Sequence, residues 1–209
     1  MNETIRIEED TSHLALAGAK LIAEKIQTTL QKKNRFSLVL AGGKTPVALY
    51  QCLSQTHIPW MNIDLFWSDE RHVSPTHPDS NYLMAKKNLL SKISIPPENI
   101  YRIKSELANA EAAANDYEKV IKKYFLNRAS HSDTGFDLVL LGMGVEGHTA
   151  SLFPETPICD HWVCAPWVKK LNAHRITLTP DLLNRAADII IMIEGKEKAK
   201  VVSEVLSKK

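Results

Sequence analysis

The chain has 209 residues, 44% of them hydrophobic and 24% charged, enough for one α/β domain with a sizeable core and too apolar for global disorder. Its 26 basic residues nearly balance 24 acidic ones, for a net charge of +2, which excludes a nucleic-acid binder held by a broad basic face. No apolar run approaches the roughly 20 residues that span a bilayer, so no membrane partner is expected and any cationic function is local.

Residues 11–33 carry Leu14, Ala17, Leu21, Ile22 and Ile26 at helical spacing and predict an amphipathic helix, with Thr11 or Ser12 as its N-cap. Phe36–Ala41 predicts a short buried strand, broken by Gly42-Gly43. Thr45-Pro46 then starts a second helix, proline suiting its first turn. Ile63–Trp67 predicts another buried strand, ended by Ser68-Asp69-Glu70-Arg71. A polar loop with Pro75 and Pro78 leads to a helix near 81–91, and 106–128 predicts a long helix carrying Ala112–Ala114 and Tyr117.

Phe136–Leu141 predicts a third strand, which drives into Gly142, Gly144 and Gly147. Arg175–Leu178 and Ile189–Ile193 predict two more, and a C-terminal helix starts near Lys196. Strands alternating with helices imply βαβ units and an α/β fold with a mainly parallel sheet. The absence of repeats, low-complexity tracts and linkers makes residues 1–209 a single domain. Cys52, Cys159 and Cys164 form no CxxC pair, and with no secretory signal they predict reduced thiols in the cytoplasm. Cys159, His161 and Cys164 lack a fourth ligand for a tetrahedral site, so no metal is expected.

Four constellations carry chemistry. In Leu40-Ala-Gly-Gly-Lys-Thr-Pro46, glycine permits close backbone approach, and the following helix offers free N–H groups and partial positive charge. Gly42, Gly43, Lys44 and Thr45 either cradle a phosphate or simply turn the chain. The segment is neither a P-loop nor a dinucleotide fingerprint. Trp67-Ser-Asp-Glu-Arg-His-Val73 supplies Arg71 as a planar fork for phosphate or carboxylate, and Asp69 to orient a base or a sugar hydroxyl. The bland alternative is a solvated turn with local ion pairs. In Phe136–Pro154, Gly144 marks a close-approach turn, and His148 follows with a side chain suited to general-base work. Glu146 lies two residues before it, placed to hold the imidazole. Finally, the C-terminal third offers Arg175 in Arg175-Ile-Thr-Leu-Thr179 and Lys198 in the first turn of a late helix, where a cation suggests either a nearby anion or a surface lysine whose stem packs along the protein.

In this order, GGKTP, WSDERHV with a later Asn81, LLGMGVEGHTASLFP, RITLT and GKEKA resemble the 6-phosphogluconolactonase family over nearly the whole chain. The resemblance implies hydrolysis of 6-phospho-D-glucono-1,5-lactone to 6-phospho-D-gluconate in the oxidative pentose phosphate pathway, without a cofactor. It also implies a Rossmann-like three-layer sandwich shared with glucosamine-6-phosphate deaminase and ribose-5-phosphate isomerase relatives. Carried onto matching positions, it makes His148 the general base and Gly43, Lys44 and Thr45 the phosphate-binding turn. Arg71, Arg175 and Lys198 become basic residues lining the site, and Asp69 a polar position at the pocket edge. The partner implied is a small sugar-phosphate lactone, taken by a monomer or small homo-oligomer in the cytoplasm.

The nearest competitor, the deaminase pattern DGHIAFNEP, has a glutamate five residues after the histidine. This chain has Phe153 there, which transfers no proton. A catalytically silent sugar-phosphate sensor would be marked by loss of the base, and His148 is present. Two departures stand out: Glu146 occupies a place more often held by Asp, and Lys44 one often held by Ser.

Overall fold

The computed structural model describes residues 3–128, 134–154 and 156–207. In chain order the elements are α1 (Thr11–Leu30), β1 (Phe36–Leu40), α2 (Thr45–Gln55), β2 (Ile63–Trp67), β3 (Asp69–Arg71), α3 (Asn81–Asn88), α4 (Ala110–Leu126) and β4 (Leu138–Gly142). There follow β5 (Val163–Cys164), β6 (Trp167–Val168), β7 (Ala173–Leu178), α5 (Pro180–Leu183), β8 (Asp188–Met192) and α6 (Ala199–Ser207). No helix among the described residues is long and apolar enough to cross a membrane.

The continuous apolar runs become a sheet whose strands all run parallel, in the order β2-β1-β4-β8. β1 and β2 are buried along their whole length, as a sheet covered on both faces requires. Alternation assigns the faces. Asp64 and Phe66 of β2 meet Tyr124 of α4, whereas the Trp67 ring meets Tyr82 of α3.

The Arg175–Leu178 segment does not join this sheet. It is the centre of a second, antiparallel sheet ordered β3-β7-β5, with β6 also on β7. Ser68 connects the two sheets. Its N–H donates to Leu40 O at 2.9 Å, and its carbonyl accepts from Leu178 N at 2.8 Å.

Several boundaries differ from the sequence reading, each for a local reason. α1 is capped by Asp10, which accepts from His13 N at 2.9 Å, rather than by Thr11 or Ser12. It stops at Leu30 because the Lys32 and Lys33 amides both turn back to Thr29 O. α4 begins only at Ala110, after Asn109 accepts from Ala112 N at 2.7 Å. Cys159 and Cys164 are disulfide-bonded rather than free. Their loop brings the Cα atoms to 5.9 Å, within bridging range. Cys52 alone is a free thiol among the described residues.

Polar groups buried at the N-terminal ends of the strands hold the sheet together. Asp137 accepts from Ser37 N and Oγ at 2.8 Å each, from Lys33 Nζ at 2.8 Å and from Arg128 at 2.9 Å. Burial opposes its charge, yet these partners outweigh burial and hold its pKa below the usual value. That contribution is present above the ordinary carboxylate range and fades as pH falls through the lowered value. The opposite end of the sheet is left for chemistry.

Candidate active site

In the order β2-β1-β4-β8 the chain leaves β1 toward one side to reach β2 and returns to its other side as β4. The C-terminal ends of β1 and β4 therefore diverge at a topological switch point, where open α/β sheets bind ligands. Gly42–Thr45 follows β1 and Met143–His148 follows β4, so the two glycine turns flank this crevice.

The first turn passes through Gly43 at φ +91°, a conformation L side chains rarely adopt, and α2 begins at Thr45 with Pro46 next. A Cβ on Gly42 would lie 2.2 Å from Asn81 Oδ1, so the glycine makes room for the asparagine side chain. Asn81 in turn donates to Asp69 O at 2.9 Å, tying the first turn to the second. Lys44 is exposed, and its side chain has no ion-pair partner among the described residues.

The polar run after β2 is a strand rather than a loop. Arg71 lies opposite Arg175 in the β3–β7 register. Two guanidinium groups facing each other are unfavourable unless an anion joins them. Burial, then the Arg71 charge, lowers the pKa of Arg175. Arg71 donates to Asp79 O at 2.5 Å, while its Nε is buried with no hydrogen-bond partner. The pair is thus a cationic fork with an unspent donor.

Glu70 points the other way. Its oxygens accept from Asn81 N (2.7 Å), Tyr82 N (2.8 Å), Arg71 N (2.9 Å) and Ser80 Oγ (3.0 Å), which places a carboxylate at the N-terminus of α3. Burial raises its pKa against these hydrogen bonds. Its bonds are made within the fold. His72 likewise faces inward, its Nε2 lying 3.2 Å from Leu107 O.

Asp69 is buried, only 7% exposed. It accepts from Ser151 Oγ at 2.7 Å and from Asn81 Nδ2 at 3.3 Å. Ser151 reaches it from a tight turn in which Ala150 takes φ +49°, the kind of strained backbone found at functional sites. Sequence reasoning singled out neither Ser151 nor the buried role of Glu70. Their partners lie far away in sequence, so no local pattern marks them.

His148 is held on several sides. Its ring stacks on Phe153, with centroids 4.0 Å apart and 29° between planes. A Cβ on Gly144 would lie 2.0 Å from Cε1, so the imidazole rests on bare backbone. Gly144 N donates to His148 O at 2.8 Å, and Gly147 N to Gly144 O at 3.0 Å, closing the loop. Glu146 Oε2 stands 3.5 Å from Nδ1, beyond a proper hydrogen bond, and Nδ1 has no other partner. Burial lowers the His148 pKa; the charges of Glu146 and Asp69, and the close approach of the Glu146 carboxylate to the ring, raise it against that, and Lys170 adds to the lowering.

Lys198 ends a 3₁₀ turn (Lys196–Lys198) that leads into α6. It is half-buried and has no ion-pair partner among the described residues. The start of α6 adjoins the His148 loop, since a Cβ on Gly147 would meet Val201 at 2.9 Å.

Two open clefts among the described residues lie elsewhere: 490 Å³ between α1 and α2, and 350 Å³ beside Cys159 and Cys164. Neither joins a glycine turn, a cation pair and an oriented imidazole, so the chemistry belongs to the sheet edge. Among the described residues no three His, Cys, Asp or Glu side chains gather to hold a metal ion.

Residues 9–209 match the family described as glucosamine-6-phosphate isomerases/6-phosphogluconolactonase. The chain is 36% identical over 210 residues to a 6-phosphogluconolactonase of a Nostoc species, covering 99% of this chain and 86% of that protein. It is 37% identical over 210 residues to a 6-phosphogluconolactonase of a Synechocystis species, covering 99% and 83%. Among solved structures, 6-phosphogluconolactonase from Thermotoga maritima matches with a TM-score of 0.87 at 32% identity, covering 99% of this chain and 90% of that one.

Proposed function

We propose that this chain, which belongs to the glucosamine-6-phosphate isomerase/6-phosphogluconolactonase family, hydrolyses 6-phospho-D-glucono-1,5-lactone to 6-phospho-D-gluconate, a step of the oxidative pentose phosphate pathway. The observation that carries the reading is an imidazole held by Gly144 and Phe153 at the switch point, in a site that also bears the Arg71–Arg175 fork. The fork and the Gly42–Thr45 turn take the phosphate, with Lys44 and Lys198 adding positive charge. His148 then draws a proton from a water placed against lactone C1.

With Nδ1 turned to Glu146, Nε2 is the nitrogen that accepts this proton. Water adds to C1, and negative charge gathers on the former carbonyl oxygen, where backbone N–H groups near Gly144 stabilise it. Collapse breaks the bond from C1 to the ring oxygen, and the imidazolium returns its proton to that oxygen. Asp69 takes no proton in this scheme; accepting from Asn81 and Ser151, it orients those two side chains. Phe153 supports the lactonase over the deaminase reading, because the group packed on the imidazole is an apolar ring.

The test is the initial rate on freshly generated lactone, corrected for spontaneous opening, beside a parallel assay with glucosamine 6-phosphate. Acceleration of the first alone is expected; deamination of the second alone would overturn the reading. A general base must be neutral, and burial holds His148 below the ordinary imidazole value of 6.5. The acidic limb of kcat/KM is therefore expected below pH 6.5, with activity full above it and lost as pH falls through it. A limb above 6.5 would contradict the assignment.

Arg175→Gln is expected to raise KM about tenfold or more while kcat changes little, as for a group that grips substrate and transition state alike. A fall confined to kcat would move Arg175 from the phosphate to the reacting carbonyl.

A further inference from the structure

Lys170 belongs to no motif described so far. It lies in a 3₁₀ turn (Lys169–Leu171) at the tip of the β6–β7 hairpin, where Asn172 adopts φ +46° and turns the chain back. The hairpin is fixed by the pairs Trp167↔His174 and Val168↔Ala173, and Arg175 N donates to Pro166 O at 3.0 Å. From this tip Lys170 Nζ reaches Glu146 Oε1 at 2.5 Å. The other oxygen, Oε2, is the one held 3.5 Å from His148 Nδ1.

We infer that Lys170 is a positioning residue: it shares the Glu146 carboxylate with His148 and keeps that carboxylate one step short of a full hydrogen bond to Nδ1. This rests on His148 serving as the base. The reasoning is geometric. Glu146 carries one negative charge and has two close suitors. The ammonium takes the short contact, and the imidazole is left with the long one and no other partner.

A carboxylate bonded fully to Nδ1 would favour the imidazolium before any water had been activated, and a protonated base accepts nothing. Held back, the same carboxylate strengthens its contact only as the imidazole gains charge, so it acts in the transition state more than in the ground state. The charged groups facing His148 are Glu146 from its own loop, Asp69 from β3 and Lys170 from the hairpin. Lys170 is thus the member contributed by the second sheet's β6–β7 hairpin, the same hairpin whose β7 carries Arg175. The lysine is 68% exposed, so the pair adds little stability and its substitution should leave the fold intact.

The test combines Lys170→Met, Lys170→Arg, Glu146→Gln and the double Glu146→Gln/Lys170→Met. Two readouts are taken: the pH dependence of kcat/KM, and the NMR titration of the His148 imidazole, assigned by its loss in His148→Asn. Lys170→Met releases Glu146 onto Nδ1, so the His148 titration and the acidic limb both move up. kcat/KM on that limb falls about threefold or more, with little change at alkaline pH. Glu146→Gln moves both down, and Lys170→Arg restores the parent behaviour.

The deciding arm is the double variant. If Lys170 acts through Glu146, removing it from the Glu146→Gln protein changes neither readout appreciably. If the same upward shift persists there, Lys170 is only a nearby charge and the proposal fails. An unchanged or downward-moving titration in Lys170→Met also overturns it. Should the protein fail to hydrolyse the lactone at all, the function assigned above falls, while the titration still reports on the hold of Lys170 over Glu146.

Discussion

Replacing His148 with asparagine is expected to lower kcat on the phosphorylated lactone by about 10²–10⁴-fold, the usual worth of a positioned general base. Affinity for the unreactive product should change little, because the Arg71–Arg175 fork and the Gly42–Thr45 turn stand on other elements. The fold should survive, since the histidine side chain is 22% exposed and its backbone contacts to Gly144 remain. Steady-state kinetics with the spontaneous rate subtracted, and product binding by calorimetry, provide the check. Near-parental turnover would remove His148 from the mechanism. Loss of product binding together with turnover would show instead that the substitution had collapsed the crevice.

Gly144→Ala is expected to cost about 10²-fold in kcat without touching any group that handles protons. The added Cβ would lie 2.0 Å from His148 Cε1 and 2.2 Å from Nδ1, distances no packed side chain tolerates. Phe153 blocks one escape, at a ring separation of 4.0 Å. The imidazole must therefore tilt or leave, and displacement of about 1 Å is enough to spoil a reacting geometry. Gly142→Ala is the natural control, because a Cβ there meets nothing within 4 Å. If Gly144→Ala retained most of its activity while Gly142→Ala lost it, the placement of the imidazole would be wrong.

Much of this was legible in the chain. Phe36–Ala41, Ile63–Trp67 and Phe136–Leu141 read as strands because burial on both faces demands unbroken apolar runs, and Ile189–Ile193 read as one from its run of isoleucines although β8 is only partly buried. The glycine turns read as ligand-facing because they follow such strands directly. Asp69–Arg71 did not read as a strand, since its three side chains are ionisable. The strand forms because Glu70 finds four donors, three of them ten or more residues away, and because β7 supplies the ladder. Lys170 was invisible for the same reason: its meaning depends on a hairpin folding back 24 residues after Glu146. The Cys159–Cys164 bond was missed because no CxxC spacing announces it, only a loop that happens to close.

Ser68 has a consequence for how this chain can change over generations. Its two backbone groups join the parallel sheet to the antiparallel one, with Leu40 on one side and Leu178 on the other. Adding or deleting one residue there would flip every following side chain of β3 to the opposite face, turning Arg71 from its fork and Asp69 from Ser151. A few residues on, Thr76, His77 and Pro78 form an exposed loop where extra length costs little closure entropy. Drift in length is therefore affordable in the loop and forbidden at the joint. One extra residue within Thr76–Pro78 should leave the site standing, while one extra residue between Trp67 and Arg71 should dismantle it.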